Sequence, residues 1–272
     1  MLLSVDHVTR YVYDRPVRSL VQSHRLMPAN NASQTVDSWE VTVSGGVPGA
    51  QFRDGAGDCI RGWTVAGPVS EVIVSVKGVV RTLDTAGVLR GHRETVMPEA
   101  YLRDTAATEP SAALFQLADS AEGEEILTLA HSLSAKVAAA IAYRPGATEA
   151  HTTAAEALAL GEGVCQDHAH ALITCARLRG IPARYVSGYL FADAEGNEHE
   201  AAHAWAELHV PGLGWIGFDA ANKCCPDDRY IRIGSGFDAQ DAAPIRGVAR
   251  GLAQGQGTES LEVAVAVQSA GQ

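Results

Sequence analysis

The sequence predicts an α+β protein: an N-terminal antiparallel β-sandwich domain followed by a domain of helices packed on sheet. Three observations predict it. Over about the first 80 positions, β-branched and aromatic residues gather in short runs between Gly- and Asp-rich turns. From Glu124 onward apolar residues recur at helical spacing, and after Pro182 the strand-like runs return. The change of pattern divides the chain into residues 1–115, a β domain with its connector, and residues 116–272, the mixed domain.

The N-terminal runs are residues 5–13, 36–43, 62–66 and 71–80. Ser44-Gly45-Gly46 and Asp54-Gly55-Ala56-Gly57-Asp58 supply the turns that short antiparallel strands need. Residues 84–123 have no clear period and carry Pro98 and Pro110, which reads as a connector. Ile126, Leu129, Ala130, Leu133, Val137 and Ile141 then form one apolar helix face, stopped at Arg144-Pro145-Gly146. An Ala-rich helix is predicted over 152–160. A third spans 165–179, with Ala169, Leu172, Ile173 and Ala176 on one face and Gly180 at its end. Strands are expected at 183–191, 204–210, 215–219, 230–233 and 261–267, the second and third joined by Pro211-Gly212-Leu213-Gly214.

Charge and cysteine usage exclude several functions. With 32 acidic and 21 basic side chains the net charge is −11, which argues against nucleic acid or an anionic membrane as partner. No apolar run approaches the roughly 18–20 residues of a membrane span. The first residues lack the basic and apolar regions of a secretory signal. Five cysteines, Cys59, Cys165, Cys175, Cys224 and Cys225, contain no C-x-x-C pair, so no zinc ribbon or disulfide framework is indicated. A reducing, cytoplasmic compartment is expected, where a single cysteine can be a catalyst.

Two chemistries compete for one stretch. Residues 199–209 contain a formal H-E-x-x-H, in which His199, His203 and His209 would bind zinc and Glu200 would activate water. Against it, the glycine of the longer zinc pattern is Ala206, and all three methionines precede the motif, which leaves no methionine turn. The segment also alternates like a half-buried strand, with Trp205, Glu207 and His209 on one face. Residues four apart on a strand lie about 13 Å apart, too far to share one ion. Zinc is the weaker reading.

The rival takes Cys165, His203 and Asp219 together. Gly161-Glu162-Gly163-Val164 places Cys165 at a helix start, where backbone N–H groups and the dipole favour the reactive thiolate. His203 and Asp219 flank the Pro-Gly turn at similar distances, so a hairpin brings them roughly opposite, the carboxylate orienting the imidazole. Cys59, Cys175, Cys224 and Cys225 read as packing residues, His168 and His170 as helix-surface or supporting groups, and Asp167 as a helix cap.

At these residues the chain resembles the bacterial transglutaminase-like superfamily. The resemblance is carried by Gly163-Val164-Cys165-Gln166-Asp167-His168-Ala169-His170, by Gly180-Ile181-Pro182-Ala183-Arg184-Tyr185, by His203-Ala204-Trp205-Ala206-Glu207 and by Gly214-Trp215-Ile216-Gly217-Phe218-Asp219. Tyr143 and Thr148 fit the lead-in. His7-Val8-Thr9-Arg10-Tyr11, Arg25-Leu26-Met27-Pro28 and Asp54-Gly55-Ala56-Gly57 resemble the β-rich domain that often precedes the core. The resemblance implies a papain-like core whose nucleophile, Cys165, sits at a helix N-terminus packed on an antiparallel sheet. His203 is then general base and acid, Asp219 its orienter, and no metal or organic cofactor is implied. Asp219-Ala220-Ala221-Asn222 departs from the family's Asp-Pro-Thr-Asn, which alters the loop. His168 stands where an aromatic residue is more usual.

Peptide-bond or amide hydrolysis on a peptide or protein substrate is the favoured activity. Transamidation or ligation, a zinc peptidase and an inactive binding scaffold remain as alternatives. The N-terminal domain has two readings, substrate recruitment or a contact between copies in a homo-oligomer.

Overall fold

The first four strands of the computed structural model are β1 (Leu2–Met27), β2 (Gln34–Val43), β3 (Gly46–Arg53) and β4 (Cys59–Thr82), within described residues 1–191, 202–251 and 259–270. β1 and β4 pair antiparallel from end to end, and β2 and β3 pair with opposite ends of β4. Their register slips between Val12 and Val17 and again before Ser19, bulges that bend long strands. One apolar cluster draws on both halves, including Tyr13, Leu20, Trp63, Val65, Val72 and Val76. The layers expected of the β domain thus arise within one bent sheet. Pro16 falls in the slipped segment, where no ladder bond is required of it.

The connector is more ordered than its lack of period suggests. It carries 3-10 turns at Pro98–Leu102 and Ala106–Thr108, then α1 (Ala112–Asp119), whose Leu114 N–H is capped by the Ser111 hydroxyl. α2 (Ile126–Ala140) follows, then β5 (Ala142–Tyr143), α3 (Ala154–Leu160), β6 (Glu162–Gly163) and α4 (Cys165–Leu178). Thr153 and Glu156 form a capping box at the start of α3, and Gly161 ends it at φ +72°. β7 (Ala183–Leu190), β8 (Ala202–Val210), β9 (Gly214–Phe218) and β10 (Tyr230–Gly236) make an antiparallel sheet in the order β10-β7-β8-β9.

α4 packs on that sheet and is flanked by α1, α2 and α3. Every residue from Asp167 to Arg177 is buried, so the helix has no solvent face. Its Ala169, Leu172, Ile173 and Ala176 meet Ala183, Ala206, Leu208 and Phe218 of the sheet in one cluster. β8 is not half-buried as its alternation suggests: Ala204 to Leu208 are buried on both faces. The polar face covers Glu207, which pairs with Arg184 and Arg232 instead of water.

The last two strands, β11 (Ile245–Arg250) and β12 (Glu259–Ser269), return to β1 and pair antiparallel with its two halves. The change of pattern near residue 115 is therefore not a division of the sheet, since both ends of the chain build it. Among the described residues no helix is long and apolar enough to cross a membrane.

Candidate active site

Cys165 is the first residue of α4 and is half-buried. The turn that presents it is built by Asp167, which is wholly buried. Asp167 Oδ2 accepts the Val164 N–H at 2.7 Å and the Thr148 hydroxyl at 2.5 Å. A Cβ on Gly163 would stand 2.7 Å from Asp167 Cβ and 2.8 Å from its Oδ2, so only glycine lets the carboxylate reach the helix end. The capping role read from the sequence is what the carboxylate performs, and Thr148 of the lead-in is its second donor.

His168 and His170 are both buried, so of their two readings the surface one fails and the supporting one fits. His168 places its two ring nitrogens 2.9 Å from the Val164 and Ile141 carbonyls, tying α4 to the end of α2. His170 Nε2 accepts the Ala239 N–H at 3.0 Å. Burial pushes the His170 imidazole down to about 4, so its ring is neutral. Arg184, adjacent to Tyr185 in the sequence, does not line the site. It is wholly buried between Glu207 and Glu94.

His203, near the start of β8, and Asp219, just past β9, come together: His203 Nε2 lies 2.6 Å from Asp219 Oδ2. The hairpin register pairs Ala206 with Phe218. Extended by one position it sets Asp219 opposite Trp205, so His203 is a diagonal neighbour, still within reach of a long side chain. With Nε2 engaged, Nδ1 is the nitrogen left for Cys165, whose thiol is near enough to the ring to help raise its pKa.

The carboxylate is itself held from three sides. Tyr230 donates its hydroxyl to Asp219 Oδ2 at 2.8 Å, Asn222 donates its side-chain amide to the same oxygen at 2.7 Å, and the Asn222 N–H reaches Oδ1 at 3.1 Å. Asn222 belongs to the Asp-Ala-Ala-Asn run and was visible in the sequence. Tyr230 was not, because nothing in the pattern of β10 distinguishes it from a core aromatic. Cys224 joins this chain, its thiol 3.3 Å from the Tyr230 hydroxyl, while Cys175 lies in the core with its thiol pushed up to about 12 by burial.

Burial alone would lower the His203 pKa. The charge and hydrogen bond of Asp219, with a smaller contribution from Cys165, outweigh it and hold the imidazole at about 10. Asp219, which burial would raise, is lowered by the same partnership. The sign for stability follows. A folded-state value raised from 6.5 contributes stability that is complete below pH 6.5 and is lost as pH rises to about 10. Urea midpoints measured from pH 6 to 10 are expected to fall in the wild type and to fall less steeply in His203→Gln. Parallel slopes in the two proteins would refute the assignment.

The zinc constellation needs a helix, but the segment is strand β8. His203 and His209, six residues apart along it, are separated by roughly 20 Å at strand rise. His209 packs edge-on against Trp215. His199 and Glu200 lie outside the described residues.

Residues 116–220 match the model of the transglutaminase-like superfamily, and residues 3–81 that of the bacterial transglutaminase-like N-terminal region. An uncharacterized protein of Mycobacterium leprae is 30% identical over 97% of this chain and 98% of its own length. An uncharacterized protein of Mycobacterium tuberculosis is 30% identical over 90% of this chain and 86% of its own. Among solved structures, a candidate cysteine protease from Cytophaga hutchinsonii superposes with a TM-score of 0.75 at 20% identity, covering 100% of this chain and 91% of that one.

Proposed function

Because the chain belongs to the transglutaminase-like superfamily, we propose that it is a cysteine-dependent hydrolase of peptide or amide bonds. Cys165 is the nucleophile, His203 the general base and acid, and Asp219 the group that orients the imidazole. The observation that carries this reading is the 2.6 Å pairing of His203 Nε2 with Asp219, which leaves Nδ1 to Cys165 at the start of α4.

In the first half-reaction the thiolate of Cys165 adds to the carbonyl carbon, and the tetrahedral oxyanion is met by the Cys165 backbone N–H at the helix N-terminus. Collapse breaks the C–N bond, and the His203 imidazolium protonates the departing amine. A water then loses its proton to His203 as it adds to the thioester. The C–S bond breaks, a carboxylic acid leaves and the thiolate is restored. An imidazole held charged at neutral pH suits the first half, because the proton for the leaving amine is already in place. The carboxylate of Asp219 keeps the ring from turning away when the proton moves.

Iodoacetamide labelling followed by mass spectrometry tests the nucleophile. Cys165 is expected to be alkylated first at neutral pH, ahead of the buried Cys175. Equal rates at all five thiols would overturn the reading. Turnover of a peptide and glutamine-amide library by wild type beside Cys165→Ala then identifies the acceptor: a carboxylic acid product supports hydrolysis, and a new amide in the presence of an added amine marks transamidation.

A further inference from the structure

A cavity of about 680 Å³ opens next to the start of α4. Gln166, the residue after Cys165, forms part of its wall, and His170 one turn further along forms another. The opposite side is the segment from Asp238 to Ala243, and the remaining walls include Ala106, Ala107 and Ala150, which are small and neutral. Tyr185 connects the two regions: its ring centroid is 5.2 Å from that of His170, and it lies in the electric field of both Cys165 and Asp238.

Asp238 is the one charged side chain on the cavity wall among the described residues. Its side chain is only 7% exposed. Oδ1 accepts the Asp241 N–H at 2.8 Å, but Oδ2 has no hydrogen-bond partner among the described residues. The nearest buried cation, Arg177, shares the field of Asp238 but directs its N–H groups to other acceptors. Arg177 directs Nε to the Tyr101 carbonyl, Nη1 to the Thr108 hydroxyl, and Nη2 to the carbonyls of Ala183 and Phe237, all at 2.8–3.0 Å. His170 uses Nε2 as an acceptor for Ala239 and is neutral, so it supplies no charge. His151, at the rim, is exposed and faces Glu149. Oδ2 is not among the buried unpartnered atoms, so this carboxylate oxygen is open to the cavity and accessible to a cation that enters it.

We propose that this cavity is the subsite for a basic side chain, Lys or Arg, of the peptide whose bond Cys165 attacks, with Asp238 Oδ2 receiving the ammonium or guanidinium. The assignment rests on the reading of Cys165 as nucleophile for its place in the reaction, but the recognition itself is a binding property. The alkyl stem of the side chain would lie along the small alanine walls and its charge would meet the carboxylate. A chain of net charge −11 adds a long-range attraction for such peptides.

The test uses the Cys165→Ala protein, so that binding is read without turnover. Blocked peptides Ala-Ala-Lys-Ala-Ala and its norleucine counterpart are titrated by calorimetry. The lysine peptide is expected to bind at least about ten-fold more tightly, and Asp238→Asn in the same background is expected to remove the difference. Equal affinities, no binding of either peptide, or a preference that survives Asp238→Asn would overturn the proposal. Should Asp238→Asn fail to fold, Ala243→Lys decides: it places a tethered ammonium on the cavity wall and is expected to abolish the preference, whereas an unchanged preference refutes the site. Cleavage of the lysine peptide by wild type is scored separately. A lysine preference in binding without cleavage would sink the hydrolase reading and leave the cation subsite standing, and cleavage without a preference would do the reverse.

Discussion

Replacing Cys165 with alanine is expected to lower kcat on the order of 10⁶-fold, the scale seen when the nucleophile of a three-residue acyl-transfer site is removed. The measurement is steady-state turnover of whichever library peptide the wild type cleaves, with the fold checked by circular dichroism. The same physical picture makes two finer forecasts. Because Cys165 and His203 act on one proton, the double variant Cys165→Ala/His203→Ala is expected to be no slower than either single variant. Asp219→Asn is expected to cost about 10⁴-fold. Its side-chain amide would donate to Nε2, which forces the ring proton onto Nδ1, the nitrogen that must take a proton from the thiol. Activity that persists in Cys165→Ala and disappears with a chelator would instead restore the zinc reading of the His199–His209 stretch.

The parts of this site that were legible in the sequence are those fixed by local pattern. Gly163-Val164-Cys165 followed by an apolar helical period announces a thiol at a helix start, and the structure places Cys165 as the first residue of α4. Alternation through 204–210 distinguishes strand from helix, and β8 spans Ala202–Val210. What alternation does not reveal is what covers each face. Glu207 reads as part of a polar face because the layer that covers it comes from distant chain: the Asp54–Asp58 turn, Glu94 of the connector and Arg232 of β10. Tyr230 was illegible for the same reason, since its role is defined by an oxygen eleven residues away. The connector looked structureless because its contacts are polar and specific. Glu94 accepts Trp215 Nε1 and Arg184 Nη1, both at 2.5 Å, and a single carboxylate leaves no periodic trace. The run Asp54-Gly55-Ala56-Gly57-Asp58 is the β3–β4 hairpin turn that the sequence suggests, and it also carries two carboxylates whose partners the sequence does not reveal: Asp54 binds Arg25 and Asp58 binds Arg232, with Gly57 at φ +84° because the turn needs that conformation.

That buried network yields the second large effect. Glu207 stands at its centre, accepting Arg184 Nε at 2.7 Å and Arg232 Nε at 2.8 Å while almost wholly buried. Arg232 continues to Asp58 at 2.9 Å, and Asp58 takes the Ser235 N–H at 2.6 Å. The guanidinium of Arg184 also lies 4.1 Å over the ring of Trp215. Glu207→Gln preserves the shape but removes the charge that two buried arginines share, leaving them to Glu94 and Asp58 alone. Breaking a buried pair from one side costs about 3–5 kcal/mol, and here Glu94 and Asp58 still offset part of the buried positive charge, which points to the lower end of that range. Urea unfolding is expected to show a loss of that size, and a loss under about 1 kcal/mol would mean that water reaches the arginines. The pH dependence supplies an independent reading. Burial alone would raise the Glu207 pKa, but Arg232 and Arg184 outweigh it and hold it at about 2. A value depressed from 4.5 contributes stability present above pH 4.5 and lost as pH falls towards 2. The acid limb of the wild-type stability curve is therefore expected to be steeper than that of Glu207→Gln. Since the network joins the Asp54–Asp58 turn and the connector to β7, β8 and β10, its acid release would loosen the sheet that carries His203 before it disturbs α4.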